Sequence, residues 1–217
     1  MTEGAAPGPA AGPAPGPAAG PAPGPAAILI GPPGAGKSTV GPLLAALLGV
    51  DFADNDAVVE AVAGKPVSDI FIEDGEQAFR ALERAAAAAA IGAHRGVLSL
   101  GGGAVMDQAT AALLAGRPVV YLETGFSAAA KRVGLDKPRP LLLGNPRTAL
   151  KALLEQRLPV YAKLAWITVP TDERDPAEIA ADIAAQLPGE GPGRGSGEGS
   201  GRPAGGPDRP AGAAPRS

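Results

Sequence analysis

A glycine-rich run lies between a short apolar segment and a segment dense in leucine and alanine, and it limits the possible folds of this chain more than any other feature. The run GPPGAGKST, residues 31–39, fits the pattern G-x-x-x-x-G-K-[ST]. Residues 26–30 before it predict a buried strand, and residues 39–48 after it predict a helix that Gly49 ends. In the order strand, tight loop, helix, this pattern forms a phosphate-binding loop.

The residues of this loop have the chemistry needed to hold the phosphates of ATP. Glycines allow backbone N–H groups to point inward, and the helix that follows adds the positive end of its dipole. We expect Lys37 to reach the β- and γ-phosphates and Ser38 to offer its hydroxyl to Mg²⁺. The alternative is a glycine-rich turn with a solvated lysine, which the flanking strand and helix disfavour.

Apolar strand candidates alternate with helix candidates along the rest of the core. Further strands are predicted at residues 50–53, 97–100, 118–123 and 165–169, and further helices at residues 57–62, 77–91, 109–114, 127–133, 148–158 and 176–187. Ser68 is a candidate N-cap for an additional short helix. Such alternation is typical of a parallel sheet covered on both faces, so the predicted fold class is α/β with three layers.

The two ends of the chain differ from this core in composition. Of the 217 residues, 32 are Gly and 25 are Pro, and more than half of these lie in residues 1–25 and 189–217. The octad AAGPAPGP occurs at residues 10–17 and again at residues 18–25. Such segments carry too little apolar surface to offset the entropy of ordering. We therefore predict a disordered head, one domain over residues 26–188 and a disordered tail.

Charge and composition exclude several classes of partner. The chain has 19 Lys and Arg against 22 Asp and Glu, a net charge of -3, which is unlike a nucleic-acid-binding protein and favours a small-molecule ligand. It has no Cys, so neither a disulfide framework nor a thiolate metal site is expected, as is usual in a reducing cytoplasm. No apolar run is long enough to predict a membrane span, and the head does not have the pattern of a secretory signal.

Polar residues and glycines follow two of the predicted strands, where ligands bind in parallel sheets. Asp54 and Asp56 follow the second strand; one could orient Mg²⁺ through water, and the other could accept a hydrogen bond or a proton from an acceptor hydroxyl. N-capping of a helix is the alternative. The glycines at positions 101–103 indicate a ligand held against backbone N–H groups, with a plain flexible turn as the alternative.

Three arginines could complete a site for an anionic substrate. Arg80 lies on the longest predicted helix, with Glu83 one turn later to pair with it. Arg139 lies between two prolines in a loop that could close over the phosphates, and Arg157 lies near the end of a helix. Taken singly, each is typical of a surface salt bridge. Together they would provide a bidentate clamp for a carboxylate and a cation for the transferring phosphoryl group.

Six motifs occur in the order and approximate spacing of one known family. They are GPPGAGKST, DND, F-R-x-x-E (Phe79, Arg80, Glu83), SLGGG (residues 99–103), R-P-L (residues 139–141) and R-x-P-x-Y (residues 157–161). Over residues 26–187 this set resembles shikimate kinase. The resemblance implies a fold like that of nucleoside-monophosphate kinases, a P-loop NTPase fold with a five-stranded parallel sheet and a mobile lid at about residues 134–146. It also implies ATP-dependent phosphorylation of the 3-hydroxyl of shikimate, which gives 3-phosphoshikimate and ADP on the route to chorismate and the aromatic amino acids.

The same resemblance implies roles for individual residues. The catalytic residues would be Lys37, Asp56 and Arg139, and Mg²⁺ would be held by Ser38 directly and by Asp54 through water. The residues that contact ATP would be Gly34, Ala35, Gly36, Lys37, Ser38, Thr39, Arg132, Arg139, Arg174 and Pro176. The residues that contact shikimate would be Asp56, Arg80, Gly101, Gly102, Gly103 and Arg157. Phe71 and Phe79 would line the acceptor pocket, and Gly134 and Gly144 are candidate hinges of the lid. A cytoplasmic monomer is expected.

Two alternatives to this function remain open from sequence. A gluconate-type kinase would also bind a hydroxylated carboxylate, and the F-R-x-x-E motif combined with three glycines favours shikimate over it. A regulatory nucleotide-binding protein without catalysis is disfavoured because the expected catalytic positions are filled. His94 and Trp166 are interpreted as structural residues.

Overall fold

Five short strands form one parallel sheet in the computed structural model, which describes residues 24–134 and 146–187. The strands are β1 Ala27–Ile30, β2 Phe52–Asp54, β3 Val97–Ser99, β4 Val119–Glu123 and β5 Ile167–Pro170. Their order across the sheet is β2-β3-β1-β4-β5, and every pairing is parallel. The predicted five-stranded parallel sheet is confirmed.

Helices connect these strands. They are α1 Lys37–Leu48, α2 Asn55–Ala63, α3 Val67–Asp69, a π-helical turn Ile70–Asp74, α4 Gly75–Ala93, a 3₁₀ turn Ala104–Met106, α5 Gln108–Leu113, α6 Phe126–Arg132, α7 Pro146–Leu164 and α8 Pro176–Gln186. None of the helices in the described part of the chain is long and apolar enough to span a membrane.

Each face of the sheet is covered by its own hydrophobic cluster, because successive side chains of β1 point to opposite faces. Ala27 and Leu29 pack with apolar residues of α1 and α8 on one face. Ile28 and Ile30 pack with residues of α4, the 3₁₀ turn and α7 on the other, including the fully buried Tyr161. The result is the predicted three-layer architecture.

The strand register brings three loops to the same edge of the sheet. Leu29 of β1 pairs with Ser99 of β3, and Ser99 pairs in turn with Asp54 of β2. The loops that follow these three strands carry the glycine-rich run, the Asp54–Asp56 segment and the three glycines. The sheet thus places the predicted phosphate-binding loop beside both candidate acceptor segments.

Two local predictions are wrong. Ser68 does not cap a helix; α3 begins directly after Pro66, whose φ of -58° already suits a helix start, and the Ser68 hydroxyl donates to Asp69 at 3.0 Å. Helix α7 does not end near residue 158 but continues through Pro159 to Leu164. Proline removes one helical hydrogen bond, and the packing of Tyr161 and Leu164 against the sheet offsets that loss.

Two residues interpreted as structural have different surroundings. A ring nitrogen of His94 lies 3.2 Å from the Val97 carbonyl, a contact between the end of α4 and β3. Trp166 was expected within an apolar strand, but β5 begins one residue later and Trp166 is 52% exposed.

Several sequence predictions lie outside the described residues. The described residues all belong to one unit of the chain, which ends at Leu187. Residues 1–23, residues 135–145 with Arg139 and Gly144, and the tail beyond residue 187 are not described. The disordered ends and the mobile lid therefore stay predictions.

Candidate active site

The phosphate-binding loop curls between β1 and α1 because its glycines take conformations that other residues avoid. Gly34 has φ of 80° and Gly36 has φ of 96°, both in the left-handed region. A Cβ on Gly34 would also lie 2.9 Å from the backbone oxygen of Ala129 in α6, so this position has no space for a side chain. Gly36 is the N-cap of α1 and provides no side-chain cap. The Thr39 N–H donates to the Gly36 carbonyl at 3.0 Å, which leaves the N–H groups of Lys37 and Ser38 at the start of α1 for a ligand.

Lys37 begins α1 and turns back over this loop. Its Nζ donates to the carbonyls of Gly31 at 2.8 Å and Pro32 at 3.2 Å. Burial lowers the pKa of Lys37 to about 8, although the nearby carboxylates of Asp56 and Asp54 act in the opposite direction. Lys37 is therefore a desolvated cation directed at the position where phosphates would bind. Ser38 and Thr39 follow it in the first turn and are exposed.

The two aspartates after β2 have different roles. Asp54 is the N-cap of α2, and its Oδ1 accepts the N–H of Asp56 at 3.0 Å, so the capping alternative is confirmed for Asp54. Asp56 lies in the first turn of the helix, with its carboxylate against the glycine loop: a Cβ on Gly101 would lie 2.7 Å from Asp56 Oδ1. Partial burial, followed by Asp54 and Glu83, raises the pKa of Asp56, and Lys37 opposes this rise.

Arg80 is held by a buried carboxylate on its own helix. Its Nη1 donates to Glu83 at 2.6 Å, and the Glu83 side chain is 4% exposed, whereas the contact to Glu76 is longer, at 3.4 Å, and far more exposed. The guanidinium also lies 5.1 Å from the centre of the Phe79 ring, which packs on Phe71 with centroids 4.5 Å apart. The predicted i, i+3 pair is confirmed, and the two phenylalanines lie beside it.

The three glycines after β3 lie against side chains that arrive from separate elements. A Cβ on Gly103 would collide with the Arg80 guanidinium, and one on Gly102 would lie 3.0 Å from the Tyr161 hydroxyl and 3.6 Å from Arg157 Nη1. The absence of side chains at these positions allows these groups to approach the backbone. The structure thus brings together Asp56, Arg80, Gly101, Gly102, Gly103 and Arg157, which were predicted from sequence to share a site.

Arg132 joins the phosphate-binding loop to the loop after β5. It donates to the carbonyl of Gly34 at 3.1 Å, and to the carbonyl and hydroxyl of Thr171 at 2.6 and 3.1 Å. Thr171 is itself buried and donates to the Glu123 carbonyl at 3.0 Å. The part of the site that was predicted to bind ATP therefore contains a buried threonine that was not selected from the sequence.

The remaining residues predicted for ATP lie at the start of α8. Arg174 forms an ion pair with Asp182 of that helix, and Pro176 is its first residue. Asp175 caps the helix by accepting the N–H of Ala177 at 2.7 Å. Arg139, predicted for catalysis, lies outside the described residues.

Within residues 24–134 and 146–187 no group of three or more His, Asp or Glu side chains has the arrangement of a metal site.

Comparison with known proteins identifies the family. The sequence model of the family described as shikimate kinase matches residues 33–188, which is more than half of the chain. The chain belongs to the shikimate kinase family. Shikimate kinase of Thermobifida fusca is 63% identical over 154 residues, which cover 71% of this chain and 90% of that protein. Shikimate kinase of Salinispora arenicola is 57% identical over 153 residues, 70% of this chain and 92% of that protein.

Solved structures agree with the family and the fold. Shikimate kinase from Acinetobacter baumannii in complex with shikimate superposes with a TM-score of 0.68 at 36% identity, over 74% of this chain and 90% of that one. Shikimate kinase from Aquifex aeolicus gives 0.61 at 31% identity, over 74% and 94%. The predicted family, fold and kinase activity are confirmed, and the gluconate-type alternative is not favoured.

Sequence reasoning missed the roles of two buried hydroxyls. Tyr161 was noted only as the last residue of the R-x-P-x-Y motif, although its spacing of four from Arg157 on a helix places the two side chains on one face. Thr171 had no signal in the sequence, because its contacts are with residues far away in the chain.

Proposed function

We propose that this protein transfers the γ-phosphoryl group of ATP to the 3-hydroxyl of shikimate and releases 3-phosphoshikimate and ADP. The observation that carries this function is the convergence of Asp56, the Arg80–Glu83 pair, the three glycines and Arg157 beside a phosphate-binding loop. Family membership supplies the acceptor, and the related Acinetobacter baumannii enzyme is described in complex with shikimate.

On the ATP side, backbone N–H groups from Gly34 to Thr39 would surround the phosphates. Lys37 would leave the Gly31 and Pro32 carbonyls for the β- and γ-phosphates, because its ammonium is only partly compensated there. Arg132 would line the adenine side together with Arg174 and Pro176. The lid at about residues 134–146 would deliver Arg139 to the transferring phosphoryl group.

On the acceptor side, Arg80 and Arg157 would bind the carboxylate of shikimate, and Asp56 would bind its ring hydroxyls. The 3-hydroxyl oxygen would attack the γ-phosphorus while the bond from that phosphorus to the β,γ-bridging oxygen breaks, and ADP would leave with that oxygen. Asp56 would accept the proton of the attacking hydroxyl. The raised pKa of Asp56 suits this role, because it makes the carboxylate a stronger base.

The donor atoms present fit Mg²⁺, which prefers oxygen ligands and usually takes one or two from the protein. The Ser38 hydroxyl would bind it directly, and Asp54, whose Oδ1 is engaged by the Asp56 N–H, would contact it through water. When bound, Mg²⁺ would neutralise charge on the β- and γ-phosphates.

The same proposal covers the organisation of the chain. Residues 26–188 would form the kinase domain, flanked by a disordered head and tail. The enzyme would work as a cytoplasmic monomer with ATP and shikimate as its partners, and without nucleic acid or membrane.

The test is ADP release by the full chain with ATP and Mg²⁺, in separate reactions with shikimate, quinate, gluconate or no acceptor. We expect release that requires shikimate and is lost when EDTA is added or when Asp56→Asn is introduced. Release with gluconate alone, or equal release without any acceptor, would contradict the proposed reaction.

A further inference from the structure

The hydroxyl of Tyr161 joins two parts of the acceptor side that come from different elements. Tyr161 is fully buried on α7, and its hydroxyl donates to the Gly102 carbonyl at 2.7 Å. The Arg157 guanidinium, one helical turn earlier, lies beside the same hydroxyl: a Cβ on Gly102 would be 3.0 Å from the Tyr161 oxygen and 3.6 Å from Arg157 Nη1. One phenol oxygen can give one hydrogen bond and accept others, so both contacts can exist together.

The bond to Gly102 fixes the direction of a backbone donor. The Gly102 carbonyl and the Gly103 N–H belong to one trans peptide plane and point in opposite directions. When the carbonyl is held toward Tyr161 on α7, the Gly103 N–H must point away from α7. A Cβ on Gly103 would collide with the Arg80 guanidinium, so this peptide lies beside the predicted carboxylate-binding region.

Other described bonds of the glycine loop do not use this carbonyl. The Gly101 carbonyl accepts from Ala104 and the Gly103 carbonyl from Met106, each at 3.0 Å, which forms the turn at the start of the 3₁₀ segment. Among the described residues, only the Tyr161 hydroxyl donates to the Gly102 carbonyl. Without it, the peptide between Gly102 and Gly103 could rotate, since glycine has a wide range of allowed conformations.

We propose that the Tyr161 hydroxyl is a positioning group for the acceptor: it holds the Gly102–Gly103 peptide and the Arg157 guanidinium in the geometry that binds the carboxylate of shikimate. This inference rests on the proposed function. The hydroxyl acts through these two groups and does not touch the reacting atoms, so it controls acceptor affinity and not the phosphoryl-transfer step.

The ring of Tyr161 has a separate, purely structural role. It belongs to the core cluster beneath the sheet and packs on the Tyr121 ring, with centroids 5.4 Å apart. Burial raises the pKa of the Tyr161 hydroxyl, so it stays protonated and can donate at neutral pH. Removal of the oxygen alone therefore separates positioning from packing.

The test compares Tyr161→Phe with Tyr121→Phe in the full-length enzyme. Both variants keep an aromatic ring and lose one phenol oxygen from the same packed pair. Tyr121 is the matched control because, within the described residues, its hydroxyl makes no hydrogen bond with the glycine loop. For Tyr161→Phe we expect the KM for shikimate, and the Kd for shikimate measured without ATP, to rise by roughly tenfold, as for loss of a hydrogen bond that positions a charged group. Its kcat and its KM for ATP should stay within about twofold of the wild-type values.

A second acceptor and a second substitution test whether the Tyr161 hydroxyl acts through the carboxylate of shikimate and through Arg157. Methyl shikimate has no carboxylate charge, so the preference of the enzyme for shikimate over this ester should fall in Tyr161→Phe and not in Tyr121→Phe. Arg157→Lys should weaken shikimate binding less in the Tyr161→Phe background than in the wild type, because the partners act as a unit.

Several outcomes would overturn the inference. Equal effects of the two Tyr→Phe variants on shikimate affinity would do so, as would equal increases in the KM for shikimate and the KM for ATP in Tyr161→Phe. Additive effects of Tyr161→Phe and Arg157→Lys would also contradict it. If Tyr161→Phe failed to fold, the hydroxyl would be a structural requirement and not a positioning group. The proposed function is judged separately by the wild-type enzyme: if it does not phosphorylate shikimate, that function fails whatever the variants do.

Discussion

On the ATP side of the candidate active site, one continuous stretch, residues 31–39, forms the phosphate-binding loop. On the acceptor side, α2, α4, the loop after β3 and α7 each contribute one part. The first surface consists mainly of backbone N–H groups directed by glycine conformations. The second consists mainly of paired side chains, such as Arg80 with Glu83 and Arg157 with Tyr161.

This difference indicates how each side fails when it is altered. The backbone donors of residues 31–39 depend mainly on the loop's own glycines, and Arg132 and Thr171 are distant partners on that side, so the ATP side should be sensitive at few positions. Paired side chains depend on partners that are buried elsewhere, so the acceptor side should be sensitive to substitutions that never touch the substrate.

Lys37→Met should have the largest effect, because it removes a half-buried cation that lies over the phosphate-binding loop. We expect kcat to fall by about 10³-fold, the upper range for loss of one electrostatic donor to a transition state. Steady-state ADP release measures this. Shikimate affinity without ATP should be unchanged, and a parallel loss of shikimate binding would show that the two sides are not separate.

Glu83→Gln should weaken the acceptor side although Glu83 need not contact shikimate. It replaces the buried carboxylate that pairs with Arg80 by a neutral amide, and we expect the KM for shikimate to rise by about 10- to 100-fold, as for loss of a charge-assisted hydrogen bond. The matched control is Glu76→Gln, because Glu76 contacts Arg80 at the surface and should change this KM by less than about threefold. Equal effects of both variants on the KM would contradict the role of burial.

The pH dependence should also separate the two sides. The pKa of Lys37 is lowered to about 8, so Lys37 loses its charge as pH rises through that value, and kcat/KM for ATP should fall by about tenfold per pH unit above it. The pKa of Asp56 is raised, so its carboxylate is protonated as pH falls, and kcat/KM for shikimate should decline on the acid side. When ATP is saturating, the bound phosphates should stabilise the charged form of Lys37, so the alkaline decline of kcat should move to higher pH. If saturating ATP did not move this decline, its assignment to Lys37 would be contradicted.

Asp182→Asn should have the smallest effect. It removes the partner of Arg174 on the exposed surface of α8, where an ion pair contributes about 1 kcal/mol or less to the free energy of unfolding. Urea unfolding and the KM for ATP measure the result, and we expect the KM to change by less than about twofold. A tenfold rise in this KM would show that Asp182 positions Arg174 for the nucleotide.

Most of the fold was predictable from the sequence, and the errors have physical causes. The five strands and the main helices follow from apolar periodicity and from glycine and proline positions, as at Gly49, which ends α1 in a left-handed conformation. The end of α7 was not predictable, because packing of Tyr161 and Leu164 against the sheet outweighs the local effect of Pro159. The π-helical turn at residues 70–74 likewise has no distinct local signal.

The candidate site divides in the same way. The phosphate-binding loop, the Arg80–Glu83 spacing and the glycines after β3 could be predicted from the sequence, because each depends on residues close together in the chain. Three features required the folded structure: Asp54 caps a helix while Asp56 faces Gly101, Thr171 accepts from Arg132, and the Tyr161 hydroxyl donates to Gly102 beside Arg157. The reason is that desolvation and long-range hydrogen bonding depend on which segments the sheet brings together, and a residue's neighbours in sequence do not specify that.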